Sequence, residues 1–519
     1  MPSFPSPHPF SLLRRMVAIA ALGALAAPIA AQAPIKPDTT TYPQWHGFAR
    51  NAQHTAAAPV ASQPFTRIKW SVVVDRNVNN VTHYGSPLTT ANDTVIVPVK
   101  IAVTTSGGTT DGFQIEAHRN SDGSLLYTLS TDYTLPPHDW TPSYGPSLAS
   151  GDKLYYPGAG GTIYLRTKAG AASGTVTQLA FYGLSNYQAN PSAYNSTVYV
   201  CTPITVDAYG NLYFGFTVTG SNPLNLTGGL ARISASGVGS YVTAAAATGD
   251  ANMTNVQYNS APALSHDGSI VYAAFTNGSY GYLVGLNSST LATVYPSTQL
   301  SNPVPLKDPL TGNDAYVINA STASPSVGPN GDVFFGVLEN PFAYNNDRGW
   351  LLHFDKTLAT LHAPGAFGWD YTAAYVPKTA VPSYTGKSSY LIACKYNNYI
   401  GFGDGENKIA ILDPKATETD PISGGTVMKE VMTIVGPTPN SQGGVREWCI
   451  NSMAVDPFTK SVLANSEDGK LYRWDLTTNT LSEVMTLTGG VGEAYTPTVV
   501  GGDGTVYAIN DAVLFAVGN

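Results

Sequence analysis

The 519-residue sequence predicts an all-β protein, a single β-propeller of eight blades, with seven blades as the alternative. One phrase recurs: a small residue and usually a proline, an apolar strand, a glycine turn, and a second strand that ends in an aromatic residue. The clearest copies are residues 202–213, 261–272, 324–334 and 496–507. The proline position recurs at 87, 146, 203, 262, 325, 454 and 497. Apart from the step from 325 to 454, this strand-only unit of about 40 to 60 residues is typical of a propeller blade.

The long step between positions 325 and 454 is predicted to contain one degenerate copy, near residues 389–393. If that segment is only an insertion, the ring has seven blades. After Pro497 the chain has room for three strands, and residues 67–74 are predicted to supply the fourth. Pairing of the two chain ends removes open sheet edges, which otherwise invite aggregation. We therefore expect one propeller domain over 67–519, preceded by an arm over 32–66.

The composition favours short strands joined by turns and excludes some partners. Only 12% of the residues are charged, whereas the chain has 51 glycines and 37 prolines. No long segment after residue 32 has helical periodicity. The formal charge is -8, and removal of Arg14 and Arg15 with residues 1–31 makes it -10. Such a balance disfavours nucleic acid as a partner.

Residues 1–31 have the pattern of a signal peptide. Arg14 and Arg15 precede an apolar run, and small residues around Ala30 and Ala31 offer a cleavage point before Gln32. The run is too short for a membrane anchor and Pro28 interrupts it, so we expect no membrane span in the mature protein. No cysteine stands at the cleavage point, so a bacterial lipid anchor is not expected there. The mature protein is predicted to be periplasmic or secreted, by the general or the twin-arginine route.

The chain contains three scattered cysteines, Cys201, Cys394 and Cys449. They are too few for a disulfide framework or a zinc site, and no histidine spacing resembles a metal site. A bridge between Cys394 and Cys449, which are expected on neighbouring blades, and buried free thiols remain the two alternatives.

The predicted connections differ in length between the two faces of the ring. Those between first and second strands, such as 207–211 and 265–268, are tight turns on the face that we call the bottom. The opposite face, the top, carries the longer segments 217–229, 338–349 and 395–407. Long loops on one rim of a rigid scaffold usually carry binding or catalysis. The top is therefore the predicted working face.

Polar and aromatic residues just before each innermost strand are predicted to enter the central channel from the top. Aromatic rings with amide and carboxylate groups suit a neutral polar ligand such as a glycan. Trp140, Trp448 and Tyr495 are expected to line the mouth as ligand platforms. The predicted ligand-binding residues are His83, Tyr84, Asp139, Trp140, Tyr144, Tyr258, Asn259, Trp369, Asp370, Arg446, Trp448, Asn451 and Tyr495.

The repeated phrase Gly-x-[Val/Leu]-Tyr resembles repeats of the pyrroloquinoline-quinone-like β-propeller superfamily, over most of residues 43–519. The arm segment 45–55 is similar to the opening stretch of many such secreted proteins. The family's Ala-x-Asp-x-x-Thr-Gly-x-x-x-Trp docking signature is eroded, because residues 116–123 lead to Tyr127. The quinoprotein dehydrogenases of this superfamily resemble one another in an adjacent cysteine pair and a calcium-holding ligand set, and neither can be mapped onto this chain. The resemblance therefore implies a non-dehydrogenase member without a cofactor.

Three functions follow from these residues. The first is an exported, non-catalytic propeller that binds a polysaccharide or a secreted or envelope protein through its top face. The alternative is a carbohydrate-active enzyme, a glycoside hydrolase or lyase, that uses Glu447 and Glu493 at the channel mouth as a carboxylate pair. The third is a quinone-dependent oxidoreductase.

Overall fold

The computed structural model describes residues 44–78, 85–105, 108–137, 144–296, 304–399, 406–492 and 495–519. They form eight antiparallel sheets that follow one another along the chain as the blades of a propeller. The prediction of eight blades is confirmed. The predicted signal peptide, residues 1–31, lies outside the described residues.

The first strand of the chain, β1 (Arg67–Val73), does not belong to the first blade. Blade 1 comprises β2 (Leu88–Thr89), β3 (Val95–Thr105), β4 (Gly108–His118) and β5 (Leu125–Ser130). Blade 2 comprises β6 (Ser147–Ala149), β7 (Lys153–Pro157), β8 (Thr162–Thr167) and β9 (Val176–Ala180). Blade 3 comprises β10 (Val198–Val200), β11 (Thr205–Val206), β12 (Leu212–Val218), β13 (Gly229–Ile233) and β14 (Gly239–Thr243).

Blades 4 to 7 continue the same order from the inside outward. Blade 4 comprises β15 (Asn255–Val256), β16 (Ala263–Leu264), β17 (Ile270–Thr276), β18 (Gly281–Asn287) and β19 (Thr293–Tyr295). Blade 5 comprises β20 (Ser326–Val327), β21 (Val333–Val337) and β22 (Trp350–Phe354). Blade 6 comprises β23 (Ala374–Pro377), β24 (Tyr390–Tyr396), β25 (Lys408–Thr419) and β26 (Thr426–Val435). Blade 7 comprises β27 (Ala454–Asp456), β28 (Ser461–Asn465), β29 (Lys470–Asp475) and β30 (Thr480–Thr486).

Blade 8 closes the ring from both ends of the chain. It contains β31 (Val499–Val500), β32 (Val506–Asn510) and β33 (Val513–Gly518), and β1 is its outer strand. β1 pairs with β33 in the register from Arg67 with Gly518 to Val73 with Val513. The predicted pairing of the chain ends is therefore present, and it covers the edge that β33 would otherwise expose.

Helices are few and short in the described residues: α1 (Leu184–Ala189) and α2 (Pro191–Asn195) between blades 2 and 3, and α3 (Ala244–Thr248) after β14. Two 3-10 helices cover Ala159–Gly161 and Lys378–Ala380. No helix among the described residues has the length and apolar character needed to cross a bilayer.

The aromatic residue of the repeated phrase joins neighbouring blades. Tyr213, Tyr272 and Tyr507 are buried in β12, β17 and β32. Each hydroxyl donates to a turn of the next blade, after β18, β22 and β4: to Ser288 O at 3.0 Å, Lys356 O at 2.6 Å and Asn120 Oδ1 at 2.6 Å, respectively. A buried phenol needs such a partner, so the repeat encodes the contact between blades.

The arm, residues 44–66, follows the bottom ends of the innermost strands. Backbone N–H groups of five blades donate to its carbonyls: Leu148 to His46, Leu264 to Ala52, Val327 to Gln53, Tyr375 to Thr55 and Val455 to Ala56. In blade 1, Thr89 exchanges backbone hydrogen bonds with Trp45, and in blade 8 Gln63 donates to Gly504. The arm therefore occupies the bottom end of the central channel.

Blade 6 departs from the predicted pattern of tight bottom turns. Its innermost strand is β23, and residues 378–389 separate it from β24, whose start coincides with the predicted degenerate copy. The insertion, which includes the second 3-10 helix, displaced the copy from its expected spacing. The three cysteines are buried and free, so the bridge between Cys394 and Cys449 is absent.

Candidate functional site

The centre of the candidate site is a buried ion pair near the top of blade 6. Asp370 lies in the segment that leads from blade 5 into β23, and Lys395 lies near the end of β24. Lys395 Nζ is 2.9 Å from Asp370 Oδ2, and it also lies 5.3 Å from the centre of the Phe367 ring. Both charged residues are buried. Burial of two charges is costly, so a pair at this position calls for further polar partners.

The pair is joined to the next blade by Tyr399 and Asn397. The Tyr399 hydroxyl donates to Asp370 Oδ2 at 3.2 Å. Asn397 Nδ2 lies 3.3 Å from the Tyr399 hydroxyl oxygen and 3.3 Å from Trp448 O, and its Oδ1 accepts from Trp448 N at 3.1 Å. Burial, with the charges of Asp370 and Glu447, raises the pKa of Tyr399 well above its ordinary value. Tyr399 is therefore a neutral hydroxyl at physiological pH.

Two further residues connect the pair to blades 5 and 7. Thr322 Oγ1 donates to Asp370 O at 3.0 Å, and Asn451 Nδ2 donates to Thr322 O at 2.7 Å. Thr372 N donates to Asn451 O at 2.9 Å. Thr322 thus links Asn451 to Asp370. We call the following residues the channel cluster: Asp370 and its chain neighbour Trp369, Lys395, Asn397, Tyr399, Trp448 and Asn451.

The channel cluster contains buried polar atoms without a protein hydrogen-bond partner. Among the described residues, no group bonds to Asp370 Oδ1, Asn451 Oδ1, Trp369 Nε1 or Trp448 Nε1. Leaving such a group unpaired in a folded protein costs about 1–3 kcal/mol. Two acceptors and two donors in one connected set can be satisfied by a molecule that offers both kinds of group, as a polyhydroxylated ligand does.

The structure corrects the expectation that Trp448 is an exposed platform. Its side chain is 0% exposed, and its ring packs edge to face on Tyr472 with 5.4 Å between ring centres. The position before an innermost strand places this residue between blades rather than at the surface. Its indole N–H has no hydrogen-bond partner among the described residues.

Several other predicted residues lie apart from the channel cluster. Tyr144 stacks on Phe113 between blades, with 4.8 Å between ring centres. The Tyr258 hydroxyl donates to Thr217 at 3.4 Å, and burial raises its pKa to about 12. Asn259 is buried, and its backbone N–H donates to Cys201 O at 3.0 Å. These three residues therefore hold blades together.

The remaining predicted residues lie near the mouth or outside the described residues. Arg446 lies 3.7 Å from Glu467 Oε1, and Glu447 N also donates to that oxygen at 3.3 Å. Tyr495 is partly buried against the core. Five predicted residues lie outside the described residues: His83, Tyr84, Asp139, Trp140 and Glu493. The geometry of a Glu447–Glu493 carboxylate pair is consequently not described.

Sequence reasoning missed Lys395, Asn397 and Tyr399. Lys395 ends the apolar run of β24, and a lone lysine in a buried strand signals a paired charge. That signal was available in the sequence, but the partner was not, because Asp370 lies on another connection of the ring.

Comparison with known proteins identifies the fold. No protein-family model and no curated protein sequence matches the chain. A solved europium-containing methanol dehydrogenase is similar to this chain with 11% identity and a TM-score of 0.56, and the match covers 90% of this chain and 89% of that one. The quinohemoprotein alcohol dehydrogenase from Comamonas testosteroni is similar with 11% identity and a TM-score of 0.52, over 91% of this chain and 80% of that one. At these identities the likeness shows the eight-bladed propeller fold and nothing finer.

The described residues do not fit a quinone held by calcium or a lanthanide. No three His, Cys, Asp or Glu side chains among them are grouped as metal ligands would be. The cysteines occupy positions 201, 394 and 449, so no adjacent pair can form. Asp370 is engaged by Lys395 and Tyr399 instead of by further carboxylates.

Proposed function

We propose that this chain is an exported, non-catalytic propeller that binds a polysaccharide or a protein partner through its top face, with the channel cluster at the centre of the site. One observation carries the proposal. Asp370 Oδ1, Asn451 Oδ1 and two indole N–H groups are buried without partners among the described residues. A ligand that pairs with them recovers the cost of their burial.

The bottom end of the channel is filled by the arm, which supports the choice of the top as the binding face. The arm occupies the bottom, where its backbone bonds to the innermost strands of six blades and to a bottom turn of blade 8. A ligand therefore reaches the channel cluster from the face that carries the long connections.

The test compares wild-type protein with Asp370→Asn/Lys395→Met. Removing both charges together avoids an unpaired buried ion, since replacement of a whole buried pair is often close to neutral for stability. Binding is measured on a panel of neutral and anionic glycans and on a panel of secreted and envelope proteins. We expect the wild type to bind a member of one panel and the double variant to lose about tenfold or more in affinity, or about 1.4 kcal/mol.

The matched control is Asp503→Asn. Asp503 also faces a lysine, with Lys69 Nζ 3.4 Å away, but it lies in a bottom turn. We expect this variant to bind as the wild type does. Equal binding by the double variant and the wild type contradicts the proposed site. Release of shortened or unsaturated sugars from a bound glycan overturns the non-catalytic role and favours the carbohydrate-active enzyme.

A further inference from the structure

The connection 338–349 between β21 and β22, which we call the rim loop, carries two exposed aromatic side chains on the top face. Phe342 is 63% exposed and Tyr344 is 50% exposed. Exposed apolar side chains that lie together on a surface mark interaction sites more often than single ones do. Ala343 between them has a φ of 66°, a left-handed conformation that a residue with a side chain rarely adopts.

The rim loop is held rigidly from below. Glu339, which is buried, accepts the backbone N–H groups of Asn345, Asp347 and Gly349 at 3.1, 2.7 and 2.7 Å. The Arg348 guanidinium donates two hydrogen bonds, of 3.2 and 2.6 Å, to the Asp420 carboxylate of blade 6. A rigid loop presents its aromatic rings at little cost in conformational entropy on binding.

A second brace comes from the preceding connection. Asp308 Oδ2, also buried, accepts from Trp350 Nε1 at 2.9 Å and from Asn340 N at 3.0 Å. Two buried carboxylates therefore fix the loop whose tip exposes Phe342 and Tyr344.

The foot of the rim loop is continuous with the channel cluster. Asn346 Nδ2 donates to Asn398 Oδ1 at 2.8 Å, directly beside Tyr399. Gly368 N donates to Arg348 O at 2.9 Å, directly beside Trp369. At the foot, between Asn346 and Arg348 in the chain, Asp347 Oδ1 is buried without a partner among the described residues and can accept a hydrogen bond from a hydroxyl group.

From this continuity we propose that the rim loop is a second subsite for an extended neutral glycan, whose end occupies the channel cluster and whose next sugars stack on Phe342 and Tyr344. The inference rests on the proposed function and names its ligand class. The flat apolar face of a pyranose suits an exposed aromatic ring, and sugar hydroxyls suit a series of single acceptors and donors.

The size and charge of the surface favour a glycan over a protein or an anionic polymer. Two partly exposed rings offer roughly 250 Å² of apolar surface. A stable protein interface buries about 800 Å² on each partner. The cations near the loop are paired, Arg348 with Asp420 and Lys307 with Asp314, and the further carboxylates of Glu339 and Asp347 disfavour an anionic chain.

The experiment measures affinity as a function of ligand length by titration calorimetry. The probes are cellohexaose, laminarihexaose, maltohexaose and chitohexaose, each with its disaccharide. The rim variant is Phe342→Ser/Tyr344→Ser. The matched control, Phe458→Ser/Tyr209→Ser, removes a phenylalanine that is 60% exposed and a tyrosine that is 44% exposed, both from bottom turns. Melting temperatures verify that all variants fold.

We expect at least one hexasaccharide to bind the rim variant about tenfold more weakly than the wild type, and its disaccharide to bind both equally. The control variant binds both probes as the wild type does. If the rim variant retains full hexasaccharide affinity while Asp370→Asn/Lys395→Met loses it, the rim subsite is wrong and the proposed function stands. If no hexasaccharide binds the wild type, the glycan inference is overturned, and the protein panel alone then decides the proposed function.

Discussion

The bottom and the top of this propeller are built from the same repeat but use their polar groups differently. In the bottom turns, carboxylates bond to their own backbone: Asp207 accepts from the N–H groups of Tyr209 and Asn211 at 2.9 and 2.8 Å. The arm then bonds to the edges of the innermost strands. At the top, the channel cluster retains two donors and two acceptors without protein partners among the described residues. The bottom groups therefore stabilise the ring, and the four open groups of the channel cluster are those that the proposed ligand would pair with.

Two buried ion pairs differ in how completely their carboxylate oxygens are bonded. Arg348 engages both oxygens of Asp420, and Ser423 adds two more hydrogen bonds. Lys395 and Tyr399 engage one oxygen of Asp370 and leave the other open. An ion pair with a purely structural role needs a hydrogen-bond partner for every buried oxygen, because a buried unpaired group is costly. The open oxygen is the reason why Asp370 is central to the proposed site.

The largest expected effect on stability comes from removal of the arm, which lies at the bottom, together with β1, the outer strand of blade 8. A chain that begins at Val74 lacks both the arm and β1, so it exposes the edge of β33 and the innermost strand edges. We expect no cooperative thermal transition and aggregation on purification. A chain that begins at Gln32 is the control and should melt cooperatively. A monomeric Val74 chain with the control's melting temperature would contradict the role assigned to the arm and β1.

A smaller loss of stability is expected in acid, because two histidines of the arm are buried in the neutral form. Burial, with the charge of Arg50 nearby, lowers the pKa of His46 to about 3, and burial lowers that of His54 to about 4. Between pH 6.5 and 4 the unfolded chain therefore binds more protons than the folded one, so stability falls as the pH falls. Each histidine contributes at most about 1.4 kcal/mol per pH unit.

The measurement is the free energy of unfolding by denaturant from pH 7 to pH 4.5. His46→Asn/His54→Asn should flatten the slope over this range, because the variant has no buried imidazole at the arm to protonate. An unchanged slope would show that other groups dominate the acid response.

The smallest effect on stability is expected at the top, from Trp448→Phe. The benzyl ring keeps the apolar contact with Tyr472, and the lost indole N–H has no protein partner, so the cost should be that of the lost ring volume alone, about 1–2 kcal/mol. Ligand affinity should nevertheless fall. Trp474→Phe is the matched control: this indole donates to Asn479 Oδ1 at 2.9 Å, so its loss should reduce stability and leave binding unchanged. The reverse pattern would return Trp448 to a purely structural role.

Much of the fold could be predicted from the sequence, because blade spacing, glycine turns and interblade tyrosines are local patterns. Blade 6 was placed only approximately, since its 378–389 insertion separates two strands that the repeat normally keeps together. The candidate site could be predicted in part: Trp448 and Asn451 precede an innermost strand as expected, and Trp369 and Asp370, expected after the fifth blade, lie just before β23. Their bonds to Lys395, Asn397 and Tyr399 depend on packing between distant segments, which spacing alone does not specify.

The most direct test of the difference between the two faces is hydrogen exchange with and without the tightest-binding probe of the glycan and protein panels. We expect slower exchange at the backbone N–H groups of residues 368–371, 395–399 and 446–452 when the ligand is bound, with no change in the bottom turns at 207–211 and 265–268. Protection confined to the bottom turns, or none at the three top segments, would contradict the claim that the channel cluster binds the ligand.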